Sequence, residues 1–195
     1  KDQSIDIDDI IAVDGVQIST KQQYYIKFHK PAGYITAVED PTHPVVMDLL
    51  PPEFKKMGVF PVGRLDKDTE GLLLLTNDGI WAHSIINGHK HVPKVYYVEF
   101  NGKLTKDGLE RIETGIVLGD GTQCKPANID VLSEQSLHIT IEEGKYHQVK
   151  RMIGAAGGEV TYLKRLSIGH ITLNGIEAIN TYSEIDDQDV VDFKK

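Results

Sequence analysis

The chain has 195 residues, 40% of them hydrophobic and 26% charged, a soluble globular composition with room for one large domain or two small ones. No apolar run approaches the roughly 20 residues that span a bilayer, and no signal-peptide pattern opens the sequence, so a cytoplasmic protein is expected. One cysteine, Cys124, excludes an internal disulfide and a cysteine-rich zinc site, and the net charge of −8 argues at first against nucleic acid.

The elements follow in chain order. "DDIIAVDGVQI" reads as two short strands around an Asp14-Gly15 turn, and "STKQQ" as a linker. "YYIKFHK" alternates as a strand up to Pro31. Pro41, Pro44, Pro51, Pro52 and Pro61 then leave room only for short helices at "VVMDLL" and "PEFKKM". "GLLLLT" is a buried strand, followed by a helix over "DGIWAHSIIN" capped by Asn77 or Asp78. "KVYYVEF" is a strand with Tyr96, Val98 and Phe100 on one face. "TKDGLERIETG" is a helix with Thr105 at its N-cap and Gly115 past its end. "ANIDVLS" and "SLHITIE" are hairpin strands. "KYHQVKRMIGAAGG" is a helix from Tyr146 to Ala156, with Val149, Met152, Ile153 and Ala156 as its apolar stripe and His147, Lys150 and Arg151 opposite. "EVTYLKRLSIGHITL" opens with a long strand. Interspersed helices and hairpin-linked strands predict an α+β fold on a mixed, mostly antiparallel sheet.

Charge is unevenly spread. Residues 1–20 carry a net −4 and residues 184–195 a net −3, while residues 143–170 carry +3 through Lys145, Lys150, Arg151, Lys164 and Arg165. A local basic surface can coexist with an acidic total, since phosphate senses the field over about 8–10 Å.

"GRLDKDTEGLLLLTNDG" fastens a carboxylate cluster to four leucines. Asp66-Lys-Asp68-Thr-Glu70-Gly71 starts like a calcium loop, but its twelfth place is Asn77 where a bidentate Glu is required. Asp66 and Asp68 could divide acid and base roles as in glycosidases, although paired carboxylates usually come from different elements. A solvated turn is the plain alternative. Anchoring by a buried strand favours a site instead, because a reactive group must be held rigidly.

This segment resembles the signature around the catalytic aspartate of pseudouridine synthases, in the branch acting on single uridines of ribosomal RNA. "KVYYVEF" resembles the family's Lys-x-Tyr strand, and "EGKYHQVKRMIGAAGGEVTYLKRLSIGHITL" its third motif. The wording Tyr146-His147 is more similar to the small-subunit (16S) enzymes than to the large-subunit ones. The resemblance implies the pseudouridine synthase fold, with flanking helices and a central cleft. It also implies isomerisation of uridine to pseudouridine in 16S rRNA, of the uridine-516 type, without cofactor or metal. Asp66 is then the catalytic carboxylate, Tyr96 stacks on the uracil, and Lys150 pairs with Asp66, with Arg151 as the fallback. Burial works against an ionised carboxylate, so such a cation is required. Arg64 fills the gap left by the flipped base or forks onto phosphate. Lys94 supports the site from the Tyr96 face and Gln148 orients backbone in the pocket. Lys145, His147 and Arg151 complete the RNA-binding set.

Two departures stand out. Gly88-His89-Lys90 replaces the Pro and basic residues usual in relatives, and His89-Lys90-His91 reads as phosphate contact or plain surface rather than a metal site. Residues 1–20 resemble only the last strands of an RNA-binding module like that of ribosomal protein S4, plus a linker, leaving 21–195 as the catalytic domain. Lower RNA affinity with intact chemistry is therefore expected, in a monomer acting on rRNA within a partly assembled small subunit and without membrane contact. The alternatives are a 23S rRNA enzyme of the same family, or a non-catalytic ribosome assembly factor.

Overall fold

A computed structural model describes residues 10–13, 16–19, 22–87 and 90–194. Strands β1 (Ile10–Val13) and β2 (Val16–Ser19) pair antiparallel as a separate two-stranded sheet; the Asp14-Gly15 turn between them lies outside the described residues. Alternation in "YIKFHK" gives β3 (Tyr25–Lys30), with Ile26 and Phe28 buried on one face. The proline-rich section folds as a turn of 3-10 helix (Val46–Leu49) and α1 (Pro52–Lys56). A short strand that sequence reasoning missed, β4 (Phe60–Val62), then leads to β5 (Glu70–Thr76).

Helix α2 (Gly79–Ile86) is capped by Asp78, whose Oδ1 accepts from Ile80 N and Trp81 N at 3.0 Å. The other cap candidate, Asn77, serves elsewhere: its Oδ1 accepts from Tyr24 N and its amide donates to Met57 O. The remaining elements are β6 (Lys94–Gly102), α3 (Lys106–Thr114), β7 (Asn128–Ser133), β8 (Ser136–Ile141), α4 (Gln148–Ala155), β9 (Gly158–Ile168), β10 (Ile171–Thr172), β11 (Tyr182–Glu184) and α5 (Asp187–Lys194). As expected, Thr105 caps α3 by accepting from Gly108 N, and Gly115 closes it at φ 104°. Strand β11 and helix α5 went unforeseen. The acidic tail docks because Trp81 Nε1 donates to Val190 O at 3.1 Å and Phe193 packs edge-on against the indole.

The main sheet runs β11-β3-β5-β9-β6-β8-β7, with β4 also on β5 and β10 on β9. Every pairing is antiparallel except β5 with β9, which run parallel over two residue pairs, Glu70–Lys164 and Gly71–Arg165. The fold is therefore α+β on a mixed, mostly antiparallel sheet, two antiparallel halves joined at a short parallel seam.

All four leucines of β5 are fully buried because the strand has protein on both faces. Leu73 and Leu75 pack with Phe28 and Met47, while Leu72 and Leu74 pack with Trp81, Ile85 and Phe193. Burying each contributes roughly 2 kcal/mol, an upper figure for a chain partly collapsed when unfolded. At the seam the backbones nearly touch. Gly71 has φ 107°, and a Cβ there would lie 2.2 Å from Arg165 O. Gly71→Ala should therefore destabilise the protein by about 3 kcal/mol, from overpacking together with a left-handed φ. A lowered urea midpoint is the expected result; an unchanged one would mean that the seam relaxes.

Candidate active site

The loop between β4 and β5 carries Asp66, and its backbone is held almost atom by atom. Thr36 Oγ1 donates to Leu65 O at 2.8 Å and accepts from Leu65 N at 3.1 Å. Gly33 N donates to Lys67 O, and Thr69 N closes a turn onto Asp66 O. Beneath the loop lies Lys30, fully buried, whose Nζ donates to Thr69 O at 2.8 Å, Pro31 O at 2.9 Å and Asp66 O at 3.1 Å, with Lys67 O at 3.4 Å. Burial pushes this ammonium down to about 8 against the pull of Asp68, Asp66 and Glu70. Sequence reasoning passed over Lys30. The signal was there: it shares the buried Ile26–Phe28 face of β3, where an unpartnered lysine has no reason to stay.

The Asp66 carboxylate meets a different side-chain nitrogen on each oxygen. Lys150 Nζ lies 3.1 Å from Oδ2 and His147 Nε2 lies 3.3 Å from Oδ1. Lys150 also donates to Asp68 Oδ1 at 2.6 Å. Burial opposes its charge, but the hydrogen bonds it donates to Asp68 and Asp66 together raise its pKa; the bond to Asp68 lowers that of Asp68. The two aspartates thus share one ammonium, while Glu70 accepts from Tyr162 OH at 2.6 Å. The three carboxylates do not converge as calcium ligands, nor do Asp66 and Asp68 face each other across a cleft.

Helix α4 begins later than expected. His147 precedes it in a left-handed conformation, φ 46°, and this turn aims the imidazole at Asp66. Consequently His147, Lys150 and Arg151 do not share one helical face. Arg151 swings to Asp120 at 2.5 Å and donates to Tyr146 O, so it is no fallback partner for Asp66.

Asp66 lines a cleft of about 780 Å³, within the range of small-molecule sites. Its floor comes from β6 and β9: Lys94, Tyr96, Leu163 and Arg165. Tyr96 is 8% exposed and its hydroxyl accepts a long hydrogen bond, 3.5 Å, from Arg165 Nη1. Lys94 lines the same cleft and donates to Val92 O; burial, with Arg165 adding to it, lowers its pKa. Arg165 was counted in the sequence as surface charge. It is instead 3% exposed, bridging the seam by donating from Nε to Leu72 O at 2.7 Å, and its Nη2 is buried with no partner among the described residues. The period-2 register that buries Leu163 buries Arg165 with it.

The predicted basic surface is likewise dispersed. Lys145 is paired with Glu143, and Gln148 spends its amide inside the motif, accepting from Lys145 N at 2.9 Å and donating to Glu143 Oε1 at 2.6 Å. Gln148 therefore orients the turn, and its amide is not free for RNA. Arg64 is exposed at the cleft and has no hydrogen bond or ion pair among the described residues. His91 faces Lys125 and Glu142, while His89 lies outside the described residues.

Residues 24–155 match the family model described as RNA pseudouridylate synthase. An RNA pseudouridine synthase of Bacillus subtilis, YtzG, named as uncharacterized, is 41% identical over 184 residues, covering 92% of this chain and 77% of the relative. The ribosomal small subunit pseudouridine synthase A of Escherichia coli K12 is 37% identical over 186 residues, 92% of this chain and 78% of that protein. A solved pseudouridylate synthase superposes with a TM-score of 0.81 at 29% identity, over 98% of this chain and 83% of the other.

The Lys30 clamp has a pH signature. Its pKa is held below the ordinary 10.5, so folding disfavours its charged form; that cost is complete below about pH 8 and is relieved as pH rises towards 10.5. Stability from this group thus rises with pH, while the clamp, which needs the ammonium, weakens. A basic limb in kcat near pH 8 without loss of stability is expected. Lys30→Met should lower kcat on the order of 10²-fold by misplacing the loop, and should abolish that limb. A limb unchanged in the variant would assign it to another group.

Proposed function

Because the chain belongs to the RNA pseudouridylate synthase family and is an isomerase acting on uridine in RNA, we propose that it converts one uridine of 16S ribosomal RNA to pseudouridine with Asp66 as its catalytic carboxylate. The observation that carries this reading is the Asp66 carboxylate, gripped by Lys150 and His147 in a cleft floored by Tyr96. The uridine is turned out of its stack, at a cost of a few kcal/mol offset by contacts to the bared strand. Arg64, uncommitted and exposed, takes the vacated space or the displaced phosphate. The flipped uracil lies against the Tyr96 ring.

The N1–C1′ bond then breaks and its electron pair stays with the base. The base turns, C5 bonds to C1′, the C5 proton leaves and N1 acquires one, so that product and substrate are isomers. Lys150 sets a positive charge against the Asp66 carboxylate in a site closed by the bound RNA, and Lys30 fixes the height of its backbone. The Arg165 guanidinium holds the Tyr96 hydroxyl and adds positive potential beneath a base that becomes anionic in transit. No step requires a metal or a cofactor. Residues 21–195 form the catalytic unit, acting as a cytoplasmic monomer on a partly assembled small subunit.

Asp66→Asn should release no tritium from RNA labelled at uridine C5, with folding retained by circular dichroism. Lys150→Met should lower kcat about 10²-fold, the scale of one preorganised charge. Pseudouridine mapping in 16S and 23S RNA, free and in partial ribonucleoprotein, decides the substrate: modification confined to 23S RNA would overturn the small-subunit assignment.

A further inference from the structure

Tyr146 is 76% exposed, yet its ring is not free to wander. It stacks on His147 with centroids 3.8 Å apart and planes 20° from parallel, and its carbonyl accepts from Arg151 Nη1. His147 in turn occupies a left-handed backbone conformation, strained for a residue with a Cβ. That conformation holds the imidazole between the Asp66 carboxylate and the tyrosyl ring. One ring face is thus committed to His147, and the other is left to solvent at the rim of the cleft that Tyr146 helps to line.

A rigid, open aromatic face beside a nucleotide-sized cleft suits one kind of occupant: an unpaired nucleobase. The surroundings favour it over an apolar protein surface, because the pairs Lys145–Glu143 and Arg151–Asp120 flank the turn and the uncommitted Arg64 lines the same cleft. Resting on the RNA-uridine reading above, we propose that Tyr146 is a stacking shelf for the base next to the flipped uridine. One imidazole separates the shelf from the catalytic carboxylate, and one sugar–phosphate link separates neighbouring bases. The flipped base occupies the Tyr96 floor, its neighbour stops on Tyr146, and Arg64 meets the backbone. His147 ties the two tiers together, so that loading the shelf steadies a group that contacts Asp66.

The test is a double-mutant cycle between protein and RNA. Kd is measured by fluorescence anisotropy for a 16S RNA fragment containing the modified uridine, and for versions abasic at its 5′ or its 3′ neighbour. Wild type, Tyr146→Ala, Tyr146→Phe and Tyr146→Trp are compared, with turnover followed alongside. Tyr146→Ala should weaken binding of the intact RNA about tenfold, the low end of one base stacked on an aromatic ring. Phe and Trp should bind nearly as wild type. Removing the base on one side should weaken wild type equally, and Tyr146→Ala should then add nothing. The shelf is overturned if Tyr146→Ala binds as wild type, or if its loss persists in full on both abasic RNAs. It is also overturned if Tyr146→Phe loses as much as alanine, which would make the hydroxyl the contact. Absence of turnover by wild type on any rRNA would instead remove the substrate reading, and the shelf with it.

Discussion

Two residue pairs between β5 and β9 govern the rest of this structure. Antiparallel pairing builds each half of the main sheet, and among the described residues the two halves pair strand to strand where Glu70 and Gly71 run alongside Lys164 and Arg165. The parallel contact is short because the strands part on either side of it, and a cleft opens beside it. A side chain at position 71 would force the halves apart, so glycine is required by contact as well as by φ. Asp66 lies five residues upstream of this junction, on a loop whose far end is tied down by the buried β5 leucines. Mount and tool are contiguous in sequence for that reason.

The chemistry of the site follows from how its cations are distributed. Lys30, Lys94, Lys150 and Arg165 all lie at or beneath the cleft, yet they differ in what they face. Lys150 has carboxylates and keeps its charge above the ordinary lysine range, whereas burial depresses Lys30 and Lys94. Arg165 cannot give up its proton, and among the described residues it has carbonyl and hydroxyl partners only. An uncompensated buried guanidinium is costly in a resting protein. In the proposed reaction it becomes useful, because negative charge arrives above it on a uracil detached from its sugar. A chain with net charge −8 can therefore serve a polyanion: four of its cations are gathered at or beneath the cleft, where the net charge of the whole chain does not decide the local potential.

The sequence was legible where local rules and burial agree. Alternation placed Tyr96 with Val98 and Phe100; Thr105 and Gly115 bracketed α3 by capping chemistry alone; and the leucine run announced a buried strand. The same rules were available for Lys30 and Arg165, which sit at in-facing positions of β3 and β9, but their charge suggested surface and overrode the register. Arg151 illustrates a different limit. Its helical position suggested Asp66, and only the fold brings Asp120, thirty-one residues upstream, within 2.5 Å. His147 was expected on the helix and lies before it, because its left-handed φ depends on the Asp66 contact and the Gln148 side chain that brace the turn. Strand β11 and helix α5 carry too few apolar residues to declare themselves; Trp81 and Phe193 dock the helix through contacts spanning more than a hundred residues.

A division of labour between floor and rim follows from exposure. Asp66 is about one-quarter exposed, Tyr96 and Arg165 less than a tenth, and Lys30 not at all. Packing and hydrogen bonds fix these groups before any RNA arrives, as preorganisation requires. Arg64 and Tyr146 stand in solvent, one without a partner among the described residues and the other stacked on a single face. Groups of the first kind can change only at the expense of the loop, the seam or the strand that carries them. Groups of the second kind can change without disturbing the core, so under the proposed assignment target choice can drift at the rim while one reaction persists on the floor. His147 belongs to both, because its ring touches the exposed tyrosine and its Nε2 touches the carboxylate. In the proposed reading recognition and chemistry meet at that imidazole, and the strained turn beneath it is the physical cost of joining them.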